Sequence, residues 1–135
     1  MTFAPSLFLR RVLRLDAVAT GSTGLLLLGG MRFLPGLLNL PGSLLACAGV
    51  FCVGWALTLG FASLREEIAS GFVWTIIVAN VAWVIGSAAL LMSGHVSPTW
   101  FGHAFVIAQA IAVDIFAGLQ IFAMWKHSRR ASAAA

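Results

Sequence analysis

Four apolar stretches, each at least twenty residues long and separated by short polar punctuation, account for most of this chain. A helix rises about 1.5 Å per residue, so about 20 apolar residues cross the roughly 30 Å of hydrocarbon in a bilayer. The stretches 15–34, 43–64, 72–92 and 98–125 each predict one membrane-spanning helix. Ahead of them, Leu7, Phe8, Leu9, Val12 and Leu13 are mixed with Arg10, Arg11 and Arg14, which predicts a short interfacial lead-in. Pro35-Gly36 and Pro41-Gly42 bracket Leu37 to Leu40 and predict a turn in the outer interface. Arg65-Glu66-Glu67 closes the second stretch and Ser93-Gly94-His95 the third. Ser97-Pro98 opens the fourth, because serine caps a helix and proline fits its first turn. The tail from Ser128 to Ala135 is expected to fray.

The expected fold is therefore an all-α membrane protein, an up-and-down bundle of four transmembrane helices forming one domain over 1–135. Its orientation follows from the basic residues. Arg10, Arg11, Arg14, Arg65, Lys126, Arg129 and Arg130 fall on one side of the stretches and only Arg32 on the other. Lys and Arg accumulate in cytoplasmic loops, so both the N and C termini are expected in the cytoplasm. Asp16 interrupts the run after Arg10-Arg11 and three further spans follow, which favours a retained first helix over a cleaved signal.

Composition sharpens this picture. Hydrophobic residues make up 61% and charged residues 9%, with a net charge of +4, against about 25% charged residues in an average soluble domain. The basic residues sit at the ends of apolar stretches and form no stripe, so the expected partner is a lipid bilayer with anionic headgroups, not nucleic acid. Trp74, Trp100 and Trp125 fall near span ends, where an indole bridges headgroup and hydrocarbon. Trp55 and Trp83 fall in mid-span, where the ring N–H calls for an acceptor inside the bundle. Cys47 and Cys52, five apart, lie about 140° apart around a helix and read as small core residues.

Polar residues inside the spans are the candidates for chemistry, since hydrocarbon makes each of them costly. Counting helical rise from the nearest cytoplasmic charge puts Thr20 and Gln120 at about 10 Å, Asn80, Trp83 and Asp114 at about 13–18 Å, and Ser87 and Gln109 at about 25 Å. By i, i+3, i+4 and i+7 spacing, Asp16, Thr20 and Thr23 share one face, and Asn80, Trp83 and Ser87 another. Gln109 and Gln120, three turns apart, point the same way, whereas Asp114 is turned about 140° from Gln109 toward Ala110 and Gly118. Asp16 lies close enough to Arg14 to be expected hydrated or paired at the boundary. Two readings of these residues stand: interhelical hydrogen bonds that fix the bundle, or a solute or proton pathway through Asp114.

His95 and His103 fall on the outer side and His127 in the cytoplasmic tail, so histidines on facing spans, as haem ligation needs, are not expected. No catalytic residue, cofactor-binding residue or metal ligand is expected, because no nucleophile–base set and no carboxylate pair lies at one depth. The runs Arg14 to Gly21 (RLDAVATG), Asn80 to Ser87 (NVAWVIGS), Gln109-Ala110 and Phe116 to Gln120 (FAGLQ) resemble a group of short bacterial four-helix integral membrane proteins. The resemblance spans most of the chain and implies the four-span topology and a bacterial inner membrane, with no activity attached. The expected role is accessory, scaffolding or partner-binding, without enzymatic activity, through a homo-oligomer or a larger membrane partner that could seat on the Ala104, Ala108, Ala112 ladder. The alternative is a small proton-coupled solute transporter acting as a dimer.

Reporter fusions test the orientation. Fusions after Leu38 and His95 should report the outer side and those after Glu67 and Lys126 the cytoplasm. An outer report after Glu67 would sink the four-span topology.

Overall fold

A computed structural model describes residues 1–135 and is helical except for one pair of two-residue strands. In chain order the elements are β1 (Thr2–Phe3), α1 (Leu7–Gly29), α2 (Leu34–Leu38), α3 (Gly42–Leu64), β2 (Ile68–Ala69), α4 (Ser70–Met92) and α5 (Trp100–Ala133). The four long helices, α1, α3, α4 and α5, are each long and apolar enough to cross a membrane.

Their boundaries depart from the sequence reading where local chemistry decides. The Ser6 hydroxyl accepts the Leu9 N–H at 3.2 Å, so α1 starts at Leu7 and carries all three arginines on its own first turns, with no separate lead-in. It ends at Gly29, five residues before the expected limit, because Gly29-Gly30 closes it, the Gly30 N–H reaching Leu26 O. The Pro-Gly segment is a short helix, α2, with proline in its first turn and Asn39 in the left-handed region at φ 49° just past its end. Thr99, not Ser97, caps α5 by accepting the Gly102 N–H at 3.1 Å. The tail does not fray before Ala133, since Lys126 to Ala133 contains no Gly or Pro and is rich in helix-forming Ala and Arg. Arg129 also lies over the Trp125 ring at 4.0 Å. At about 1.5 Å per residue this helix is roughly 50 Å long, more than a bilayer's hydrocarbon needs.

The long helices pack as antiparallel pairs. α1 lies along α3, α4 lies along α5, and the pairs meet mainly through α1 and α5, while α3 and α4 scarcely approach. Small residues set the first pair: a Cβ on Gly24 would lie 2.9 Å from the Gly49 carbonyl oxygen and from the Val53 nitrogen, and one on Gly21 would lie 3.2 Å from Ala56. That is the close contact expected of the Gly21–Gly24 segment.

Both ends are tied. At one, β1 pairs antiparallel with β2 (Thr2 with Ala69, Phe3 with Ile68), the Phe3 ring stacks on His127 at 4.2 Å, and Arg10 donates to Glu66 O at 3.3 Å. Both chain ends and the Arg65–Glu67 loop are thus neighbours. At the other, Thr99 donates through its N–H to Leu38 O (3.0 Å) and through its hydroxyl to Leu37 O (2.6 Å), and the Asn39 amide donates to Ser97 O (2.6 Å). The α2 backbone lies so close to Gly102 that any side chain there would strike Leu38 O.

Apolar burial forms two clusters, one at each end. Leu9, Leu13, Leu59, Ile68, Val73 and Ile76 anchor the first, and Leu27, Leu34, Leu38, Leu40, Leu45 and Val106 the second. The outside is also apolar: Val18, Leu25, Leu57, Phe61, Val78, Ile85 and Ile111 are all more than half exposed. Such a surface fits lipid, not water.

Gly24→Ala should lower the detergent melting temperature, at a cost of about 1–3 kcal/mol for forcing two backbones apart. Gly54→Ala, whose new methyl meets nothing, should leave it unchanged or raise it. Equal melting for both variants would mean that α1 and α3 are not in close contact.

Candidate functional site

Between the two apolar clusters lies a polar layer to which all four long helices contribute. Its centre is Asp16 of α1, fully buried and the only charged residue so enclosed. One carboxylate oxygen, Oδ2, accepts from Asn80 Nδ2 of α4 at 3.0 Å and from Gln120 Nε2 of α5 at 2.8 Å. The other, Oδ1, accepts from the Thr20 hydroxyl one turn along α1 at 3.1 Å. Asn80 also donates to Gln120 Oε1 at 3.3 Å, and its own Oδ1 accepts the indole N–H of Trp55 on α3 at 3.4 Å. Every hydrogen-bonding partner of the carboxylate is therefore a neutral side chain.

A second group lies toward the α2 end. Trp83 donates its indole N–H to Gln109 Oε1 at 2.6 Å, Gln109 Nε2 donates to the Ser87 hydroxyl at 3.0 Å, and Ser87 donates back to Trp83 O at 2.8 Å. No buried side-chain nitrogen or oxygen in the molecule lacks a partner.

Asp16, Thr20, Asn80 and Gln120 thus come together, as do Trp83 and Gln109. Two placements differ from the reading of the sequence. Asp16 is not at a hydrated boundary, because α1 begins nine residues earlier and carries it more than two turns into the helix pack. Asp114 belongs to neither group. It is exposed, in a shallow groove of about 360 Å³ between α4 and α5 whose walls include Val84, Ala88, Leu91, Ile107, Ala110 and Ile111. Trp83 and Gln109, placed about 10 Å apart by the depth count, meet because they are in fact level: sixteen residues separate Trp83 from Glu67 and seventeen separate Gln109 from Lys126, about 25 Å in each case.

Two joined cavities occupy the gap between α3 and α4. The inner one, about 60 Å³, is lined by Thr20, Thr23, Asn80 and Gln109 and by four aromatic side chains, Phe51, Trp55, Trp83 and Phe116. Phe51 stacks on Trp55 (ring centres 5.9 Å apart, planes at 12°) and on Trp83 (5.4 Å, 8°), holding α3 and α4 apart. The larger cavity, about 540 Å³, shares Thr23, Phe51, Ala79, Trp83 and Gln109 with the first and is otherwise mainly apolar. Phe51, Phe116 and Cys52 were not marked out by the sequence as site residues. The signal for one of them was present: Phe51 and Trp55 are four apart and share a helix face.

Cys52 is buried at the inner cavity, but Cys47 is exposed on α3 and is not the core residue expected; the two thiols face apart, as their spacing predicts. No three His, Cys, Asp or Glu side chains converge in a metal-holding arrangement. His95 and His103 lie at the α2 end and His127 at the other, against Phe3. Compared with protein families, curated proteins and solved structures, the chain matches none.

Asn80→Leu should lower the melting temperature in detergent more than Leu90→Ala does, although it adds apolar surface. It strips a donor from Asp16 and Gln120 and the acceptor from Trp55, and each stranded buried group costs about 1–3 kcal/mol. An unchanged melting temperature would mean that Asn80 does not bind the helices together.

Proposed function

We propose that this chain is a multi-pass protein of a bacterial inner membrane, an up-and-down bundle with both termini cytoplasmic, and that it serves as an accessory or partner-binding component without enzymatic activity. The observation that carries this reading is Asp114. Its carboxylate is exposed on the outer surface of α5, fourteen residues and about 21 Å from the start of that helix. In a membrane that position faces lipid, where a carboxylate is costly unless another polar group meets it. The lining of the groove includes the small residues Ala88 and Ala110 beside Val84, Ile107 and Ile111, and small side chains let a further helix come close. The occupant is a transmembrane helix, from a second copy or from a larger partner, that brings a donor to Asp114. The grouping of the two termini and the Arg65–Glu67 loop at one end supports the cytoplasmic assignment of that end.

One observation favours the carrier reading as a second possibility: Asp16 is a buried carboxylate beside a cavity. A carrier would load and release a proton there.

Two measurements separate the readings. In a variant lacking Cys47 and Cys52, Ile111→Cys should cross-link under oxidation in native membranes, to twice the monomer mass for a second copy or to another mass for a larger partner. Absence of any adduct, with the protein folded, would overturn the partner role. Proton-driven uptake in vesicles that Asp16→Asn abolishes and Asp114→Asn spares would establish the carrier instead.

A further inference from the structure

The inner cavity combines three features that together specify a ligand. Four aromatic side chains line it, Phe51, Trp55, Trp83 and Phe116, and no Lys, Arg or His does. Immediately behind its wall stands the fully buried Asp16, bonded to two residues of that wall, Thr20 and Asn80. All hydrogen-bonding partners of Asp16 are neutral, so no cationic side chain of the molecule is bonded to this carboxyl group. A ring of aromatic faces with a carboxyl group lacking a cationic partner behind it attracts a cation.

The chemistry can be narrowed further. Every buried polar side-chain atom already has a partner. The cavity therefore offers a cation ring faces rather than unpartnered polar groups, surroundings that suit a quaternary ammonium, which carries no N–H to be satisfied. The cavity, about 60 Å³, is several times the roughly 10–15 Å³ that one water occupies on the same measure. Past Phe51 and Trp83 it continues into the apolar cavity of about 540 Å³, a volume within the roughly 300–1,000 Å³ usual for small-molecule sites. The larger cavity is walled by Leu27, Leu44, Leu45, Ala82, Leu90 and Phe105, which suit a hydrocarbon chain.

We propose that the joined cavities bind a quaternary ammonium amphiphile, its head group among Phe51, Trp55 and Trp83 beside Asn80, and its chain in the lateral cavity between α3 and α4. The site is separate from the Asp114 groove, which lies between α4 and α5.

The test is calorimetric titration of the purified full chain in a neutral maltoside detergent, with tryptophan fluorescence as a second readout. Decyltrimethylammonium should bind saturably at one per chain and perturb the fluorescence, and decanol, the uncharged counterpart, should not displace it. Asp16→Asn should weaken binding at least about tenfold, the scale of one desolvated cation interaction, while Asp114→Asn leaves it unchanged. Should Asp16→Asn fail to fold, Phe51→Ala removes an aromatic wall from a half-exposed position and should also weaken binding at least about tenfold. Displacement by dioleoylphosphatidylcholine and not by dioleoylphosphatidylglycerol would identify a lipid head group as the source. Displacement by neither, with tetramethylammonium competing, would identify a free amphiphile. Equal binding of decanol, retention of full affinity by a folded Asp16→Asn or Phe51→Ala variant, or absence of saturable binding would overturn the proposal.

Discussion

The arrangement of the helices depends on satisfying one carboxylate. Asp16 accepts three hydrogen bonds, one from its own helix and one each from α4 and α5, and Trp55 of α3 joins through Asn80. Each residue turns a helix by about 100°, so shifting any of the four by one residue would swing its contributor out of reach. Apolar packing supplies no comparable selectivity in a membrane, because lipid tails are as apolar as leucine and do not drive helices together. A buried charge stripped of its donors, by contrast, is far more costly than a misplaced leucine. The network sets the rotation of each helix, and the two apolar clusters on either side then fill the space that this rotation leaves.

Spacing follows a different rule on each side of the molecule. Between α1 and α3 the glycines at 24 and 49 remove side chains, so backbones approach until a single methyl would collide. Between α3 and α4 the opposite holds: Phe51, Trp55 and Trp83 insert three large rings, and the helices stand apart around the cavities. The same chain therefore uses its smallest residues to close one seam and its largest to prop another open. Because Trp55 and Trp83 also donate to Asn80 and Gln109, the two indole props are held in orientation by the same residues that build the polar groups.

Much of this was legible in the sequence, for identifiable reasons. Span number followed from apolar run length, and the inward face of Asn80, Trp83 and Ser87 followed from i, i+3, i+7 spacing, which a helix imposes on any side chain. The acceptors of Trp55 and Trp83 were implied by the cost of burying an indole N–H. What failed depended on where helices begin. Placing the first span at 15 left Asp16 at a boundary; the Ser6 cap, which starts α1 at Leu7, puts it in the interior. The cavity was illegible because it arises from what α3 and α4 do not do, and a gap between two helices leaves no periodicity on either one.

The two membrane-level carboxylates divide inside from outside. Gln109 and Gln120 mark the inward face of α5, and Asp114 is turned away from them by about 120–140°, so the same helix delivers donors to the core and an acid to its outer surface. Asp16 is surrounded by donors from this chain, whereas Asp114 takes part in none of its side-chain hydrogen bonds and stands exposed in the groove between α4 and α5. Removing the first acid therefore acts on helix register and on the cavity behind Asn80, and removing the second acts on contacts outside the fold. Because α5 is a continuous helix joining both, a partner that rotated it would loosen Gln120 from Asp16 as it engaged Asp114.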